Sequence, residues 1–278
     1  MEISETIKAI IIALVEGFTE FLPISSTGHM TLVGELIKFD GPQAKTFEIF
    51  IQLGAILAVV ALYPKRFLAL IPKKNGAGTA ESSRESGFSG MTGLMKIGVA
   101  CLPAFVIGAA LHKTIKEKLL FSAPVALALI VGGLLMIFVE RKNIKPTVNR
   151  IEEISIRSAF ILGIFQCLAL WPGFSRSGAM LIGGLFLGLT RTVAAEFSFL
   201  VAVPVMVAAT GLDLLKSYKD LSPSDLPIFA IGFVLAFVTA IVAIRFMLSL
   251  LSRLTLRPFA YYRIALGVVV LILLSSNG

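Results

Sequence analysis

The sequence predicts an all-α polytopic membrane protein, an inverted-topology repeat of about six transmembrane helices and two re-entrant helical hairpins. Three observations carry this expectation. Residues are 56% hydrophobic and only 15% charged, with mean hydropathy +0.91, whereas a soluble domain carries about 25% charged residues. The apolar runs are helix-length, and none alternates with the period-two pattern of a membrane barrel. The chain also divides into two similar halves, each holding an odd number of spans, so the second half must insert upside down.

The elements follow in order. Residues 5–34 are apolar and long enough to enter a bilayer, but Pro23 and the run Ser25-Ser26-Thr27-Gly28 break them in the middle. Irregular backbone at that depth is tolerated only where protein or a wet cavity covers it, which predicts a re-entrant hairpin. Full spans follow near 44–63, 91–111 and 122–139, each close to the ~20 residues that cross a bilayer. Residues 155–189 are the second broken segment, interrupted at Pro172-Gly173-Phe174-Ser175-Arg176-Ser177-Gly178, and spans near 193–215, 227–250 and 259–275 complete the chain. The expected units are therefore 1–140 and 141–278. Pro23 aligns with Pro172 and Ser26 with Ser175, both at offset 149. Thr46 to Ile51 matches Ala194 to Phe199 at offset 148. The last span of each half starts at a proline, Pro124 or Pro258, and carries a mid-span glycine, Gly132 or Gly267.

The formal charge is +8, yet the basic residues are scattered over connecting loops rather than clustered, which argues against nucleic acid as a partner. With both termini outside, 16 of the 25 Lys and Arg fall inside, Arg263 among them, against 8 outside, with Arg176 left within the second broken segment. That asymmetry follows the positive-inside rule. It places 64–90 inside, as a flexible cytoplasmic loop rich in Gly and Ser. The opening Met1-Glu2-Ile3-Ser4-Glu5 is acidic where a cleavable signal peptide is basic. Cys101 and Cys167 lie in apolar segments without metal-ligand spacing and read as small buried hydrophobes. Nothing in the sequence excludes a homodimer.

The chemistry concentrates in the two breaks. Glu16 and Glu20 are spaced i, i+4 and share a helix face. Like charges there repel, and a divalent cation, Mg²⁺ or Ca²⁺, between them would relieve the conflict; the alternative is an exposed helix end. Ser25, Ser26, Thr27 and Gly28 follow a proline and open a helix, so their hydroxyls and N–H groups form either an anion cradle or an ordinary cap. His29 could transfer a proton, accept a phosphoryl group or play a structural part. In the second break, Gly173, Ser175, Arg176 and Ser177 form a matching cradle. Arg176 would clamp phosphate in bidentate fashion, or pair with Glu16 or Glu20 when the site is empty. Glu48, Gln52, Glu196 and Asp213 read as bonds between helices, His112 as a surface residue, and Trp171 as an interfacial anchor or a wall of the site. The inverted repeat by itself fits a transporter as well as an enzyme.

These stretches resemble the two signature motifs of the undecaprenyl-diphosphate phosphatase, or bacitracin-resistance, family. The first runs from Glu16 to His29 and the second from Pro172 to Gly178, with further similar stretches at Ala44 to Glu48, Ile51 to Gly54 and Glu196 to Leu200. The resemblance covers essentially the whole chain. It implies a bacterial inner-membrane enzyme that removes the terminal phosphate of undecaprenyl diphosphate, recycling the carrier lipid of cell-wall synthesis, with a site facing the periplasm and a divalent cation. It further implies that the family's catalytic glutamates fall on Glu16 and Glu20, its Ser-Ser-Thr-Gly-His on Ser25 through His29, and its Ser-Arg-Ser on Ser175 through Ser177. The catalytic set expected is Glu16, Glu20, Ser26, His29 and Arg176. The phosphate-binding set is Ser25, Ser26, Thr27, Gly28, Gly173, Ser175, Arg176 and Ser177, with Glu16 and Glu20 holding the metal. One position departs: the family's second motif usually ends in threonine, and here that place is Met180. Alternative readings are a lipid-phosphate flippase or secondary transporter, and a catalytically silent relative that binds lipid phosphate.

Overall fold

Helices build the described part of the protein. The computed structural model describes residues 4–72, 86–217, 222 and 225–276. In chain order the α-helices are α1 (Glu5–Thr19), α2 (Ser26–Ile37), α3 (Pro42–Leu62), α4 (Pro64–Ala69), α5 (Gly90–Lys118), α6 (Ser122–Arg141), α7 (Ile156–Gln166), α8 (Arg176–Phe186), α9 (Arg191–Ser217), α10 (Leu226–Leu251) and α11 (Arg257–Ser276). Among the described residues six helices are long and apolar enough to cross a membrane, namely α3, α5, α6, α9, α10 and α11. This is an all-α polytopic membrane protein. The expected loop 64–90 is in part helix α4 and a 3-10 turn, Ser86–Phe88; its Gly/Ser-rich centre, 73–85, lies outside the described residues.

The two broken segments stop and restart where their sequences dictate. α1 ends at Thr19, two short turns follow around Pro23, and α2 begins at Ser26. α7 passes through a 3-10 turn, Cys167–Leu170, to Pro172, and α8 begins at Arg176. Both restarts use the same device. Ser25 (φ 74, ψ 99) accepts a hydrogen bond at its side chain from the Gly28 N–H at 3.2 Å. Ser175 (φ 75, ψ 120) does the same for Gly178 at 3.1 Å. Each serine satisfies one of the orphan donors of the helix it opens.

The cap equivalence differs from the expected alignment of Ser26 with Ser175. Ser175 matches Ser25, at offset 150, and not Ser26. The prolines remain at 149 because Pro172-Gly173-Phe174-Ser175 holds one residue more than Pro23-Ile24-Ser25. The extra residue is accommodated by Gly173, whose φ of 95 and close approach to the Val125 carbonyl (a Cβ there would lie 2.4 Å from that oxygen) leave no room for a side chain.

Packing then brings the two breaks together. α1 lies against α10 and α7 against α5, while α3 contacts both α9 and α10. α6 packs along α11 and also touches α2 and α8, the two helices that start at the breaks. The larger core cluster includes Phe21, Phe174, Met180, Phe197 and Phe199, so apolar side chains seal the region around both turns.

Candidate active site

The first break supplies acidic groups. Glu20 follows the last residue of α1 in helical conformation, and its N–H still donates to the Glu16 carbonyl at 3.0 Å. The i, i+4 relation of Glu16 and Glu20 therefore survives to the end of the helix. Glu20 faces a cavity of about 250 Å³, together with Ser25, Ser26, Thr27, Gln52, Pro172, Gly173, Ser175 and Arg176. Ser26 Oγ donates to Glu20 Oε2. Glu16 is fully buried and does not line this cavity. Among the described residues neither of its carboxylate oxygens has a hydrogen-bond partner, which is costly for a buried polar group. Glu20 and Glu48 bear on it as like charges and Arg176 as the opposite one.

The second break supplies the cation. Arg176 Nη2 donates to Glu20 Oε1 at 3.2 Å, and its Nη1 donates to Ser198 O at 2.8 Å and Ser198 Oγ at 3.2 Å. Both partners of the ion pair are only 10% exposed. The guanidinium also stands 6.0 Å from the centre of the Phe21 ring. Its Nε is buried and has no hydrogen-bond partner among the described residues. Across the two turns Ser175 Oγ lies 3.0 Å from Ser177 Oγ, and Ser177 Oγ donates to Leu22 O at 2.8 Å.

The expected residues thus divide. Glu20, Ser25, Ser26, Thr27, Gly173, Ser175 and Arg176 line one cavity, with Ala169, Met206 and Ala209 on its apolar wall. Gly28 and Ser177 sit one step behind it, as a capped donor and a tie between turns. His29 does not line the cavity. Its Nδ1 lies 2.7 Å from the Ser25 carbonyl and its Nε2 2.7 Å from Tyr262 Oη. A carbonyl only accepts, which puts the proton on Nδ1 and leaves Nε2 to accept from the tyrosine. Gln52, first read as a bond between helices, both lines the cavity and accepts from Thr210 Oγ1 at 3.3 Å. Trp171 Nε1 donates to the Pro124 carbonyl at 3.0 Å, which anchors the second turn to α6. Met180 is fully buried in the core. The cap of α8 comes from Ser175, so the missing threonine hydroxyl removes no cap.

Arg263 overturns an expectation. Sequence reading placed it among the inside loop charges, but it is fully buried within α11. It donates to Pro23 O at 3.1 Å, Ala128 O at 3.3 Å, Gly173 O at 3.2 Å and Phe174 O at 2.6 Å. Those carbonyls belong to both turns and to α6. The signal was present: a charge inside an apolar span, expensive unless the interior receives it. Gly132, noted as a mid-span glycine, makes the room. A Cβ at Gly132 would lie 2.1 Å from Arg263 Nη2.

A larger cavity, about 670 Å³, is lined by Arg66, Arg150, Glu152, Arg191 and Glu196 and contains none of the motif residues. Its charges are largely spent on each other. Arg191 grips Glu140 through two bonds of 2.8 and 2.7 Å, and Arg66 and Arg150 share Glu152. Burial alone would raise the Glu152 carboxyl, but the hydrogen bond and charge of Arg66, with Arg150, hold it below the usual carboxylate range.

Among the described residues no group of three or more His, Cys, Asp or Glu gathers as a metal cluster. Comparison with known proteins places this geometry in context. The family model described as "Bacitracin resistance protein BacA" matches residues 9–269. A protein of Nitratidesulfovibrio vulgaris named undecaprenyl-diphosphatase is 50% identical over 267 residues, 96% of this chain and 97% of that protein. One of the same name from Maridesulfovibrio salexigens is 49% identical over 263 residues, covering 95% and 96%. A third, from Desulfovibrio desulfuricans, is 46% identical over 261 residues, covering 94% and 95%.

Proposed function

The chain belongs to the bacitracin resistance protein BacA family, and from that membership and the paired turns we infer that it hydrolyses undecaprenyl diphosphate to undecaprenyl phosphate and inorganic phosphate. It is a membrane-embedded hydrolase acting on a lipid diphosphate, in keeping with cell-wall synthesis and bacitracin resistance. A flippase or transporter is not favoured, since the relatives it matches along nearly their whole length are named as diphosphatases. The observation that carries the reading is the Arg176–Glu20 pair spanning two capped helix N-termini at one cavity. Helix N-termini and an arginine are what a transferred phosphoryl group requires.

Each residue then takes a role in the proposed chemistry. Ser26 Oγ, already hydrogen-bonded to Glu20 Oε2, attacks the terminal phosphorus. Glu20 accepts the serine proton, and the lipid monophosphate leaves as the bridging P–O bond breaks. Water then attacks the phosphoserine, giving inorganic phosphate and restoring Ser26. Nucleophile and base within hydrogen-bond reach are the geometry such a step needs. Arg176 releases Glu20 and turns to the phosphoryl oxygens, with its unpartnered Nε as an added donor. The N–H groups that open α2 and α8 neutralise charge in the transition state. His29 holds the Ser25 carbonyl and so sets the first turn, acting as a positioning residue.

A divalent cation fits the first break. Glu16 carries two buried oxygens without partners, and Glu20 stands one helical turn away. Glu20 at the cavity, and Glu16 buried one helical turn behind it, would hold Mg²⁺ or Ca²⁺. When bound, the cation would lower the charge on the phosphoryl group. The inverted repeat, both termini outside, a site open to the periplasm of the bacterial inner membrane, and a homodimer are further parts of the proposal. The first three are supported by the matched turns and by the charge bias of the loops.

The test is phosphate release from undecaprenyl diphosphate by detergent-purified protein, with Mg²⁺ or Ca²⁺ and then with excess chelator. Release that stops on chelation and is abolished in Glu20→Gln is the expected result. No release from folded protein that binds the lipid would sink the hydrolase reading and favour transport.

A further inference from the structure

Arg263 carries an inference that rests on the phosphatase reading but does not need it for its test. Among the described residues it is the one arginine that is fully buried, and no ion pair to it is found there. Its charge is met by carbonyl dipoles drawn from three places in the chain: Pro23 in the first turn, Gly173 and Phe174 in the second, and Ala128 in α6. The face of the Phe174 ring lies 5.7 Å away and adds a cation–π contact. Gly132 and Gly178 leave the space it fills, since a Cβ would lie 2.1 Å from Nη2 at the first and 2.9 Å from Nη1 at the second. Desolvating an arginine in this way is expensive. A leucine there would fill the span without that cost.

We propose that Arg263 is a positioning residue that locks the two turns into one site and aims their donors at the cavity. The argument is geometric. A trans peptide places its C=O and N–H on opposite sides. Holding the Phe174 carbonyl at 2.6 Å therefore turns the N–H of Ser175, a cavity-lining residue, away from Arg263. The same guanidinium fixes the Pro23 carbonyl, two residues before the Ser25 cap, so the first turn cannot shift relative to the second. Both serines sit at positive φ, a conformation that persists only when its surroundings over-determine it. Arg263 contacts both turns and over-determines them together with the Ser177–Leu22 and Arg176–Glu20 ties. It touches no reacting atom. Its effect falls on the placement of Ser175, Arg176 and Ser26, where a misplacement near 1 Å can cost about a hundredfold in rate.

Arg263→Lys tests this. Lysine keeps the charge but has one nitrogen and no planar fork, so it cannot span three carbonyl sites at once. Two readouts are taken on detergent-purified protein. Hydrogen exchange at residues 22–26 and 172–176 is expected to speed up in both turns together, while exchange in α3 and α9 is unchanged. In the phosphate-release assay kcat is expected to fall at least about tenfold, with KM within about threefold of the parent. Gly132→Ala, which crowds the guanidinium without removing it, is expected to reproduce both changes. Unchanged exchange in the two turns of folded Arg263→Lys would overturn the proposal whether or not the parent protein releases phosphate. So would faster exchange in both turns with unchanged kcat. Failure of both variants to fold would also overturn it, because Arg263 would then anchor the bundle rather than aim the site. If the parent protein itself releases no phosphate, the hydrolase reading fails and the exchange result alone decides this one.

Discussion

The two turns share a backbone and divide the chemistry. Ser25 and Ser175 have nearly the same φ, cap the N–H three residues on at nearly the same distance, and open helices that both rest on α6. Around the first stand Glu16, Glu20 and His29; around the second stand Arg176, Gly173 and Ser177. One scaffold therefore presents two helix N-termini to a single cavity, while the carboxylates come from one side and the guanidinium from the other. The common part binds anions in general. The unlike part sets the Glu20 carboxylate beside the Ser26 hydroxyl with the Arg176 guanidinium on it, which in the proposed chemistry is what distinguishes cleaving a phosphoanhydride from holding one.

The comparison can be broken hardest at Arg176. Arg176→Ala removes the side chain that joins the turns and leaves Glu20 without its partner. Turnover is expected to fall at least about a hundredfold, as for loss of a transition-state donor, in a steady-state phosphate-release assay. Rates near the parent's would take Arg176 out of the mechanism. A smaller effect is expected at Gly173, which has no counterpart in the first turn. Gly173→Ala forces a side chain into φ 95 and against the Val125 carbonyl. A loss of roughly 1–3 kcal/mol should appear as a lower thermal midpoint, and no shift would mean that the second turn relaxes freely. The smallest effects belong to the shared part. Ser25→Ala and Ser175→Ala each remove one helix cap, so each should cost about 1 kcal/mol of stability. Clearly unequal losses in denaturation curves would show that the two turns are less alike than their backbones.

Much of this was legible in sequence because hydropathy reports on spans directly. The span expected near 227–250 is Leu226–Leu251, and the one near 122–139 is Ser122–Arg141. Proline followed by a Ser/Gly run marked both breaks, where a capping serine restarts the helix; proline alone did not, since Pro103 and Pro204 lie inside α5 and α9. What escaped was whatever depends on contacts between distant segments. His29 and Tyr262 are 233 positions apart, and no local pattern pairs them. Arg263 was counted with the loops although it lay inside an expected span, because a charge count ignores depth. The cap equivalence differs by one from the expected alignment because aligning Ser with Ser cannot reveal which serine caps. Glu16 and Glu20 share a helix face as their spacing requires, yet only Glu20 reaches the cavity. The helix supplies the angle, and the packing of α1 on α10 decides how deep each carboxylate lies.

The order of synthesis gives Arg263 a further meaning. α1, α2, α7 and α8, with both turns, leave the ribosome well before α11 does. Until that helix arrives, the carbonyls of Pro23, Gly173 and Phe174 lack the guanidinium that gathers them in the finished protein. A nascent chain in the membrane therefore holds every motif residue without holding the tied site. On the proposed role of Arg263, the site is fully set only near the end of translation, and a chain that stalls before α11 would lack that tie between the turns.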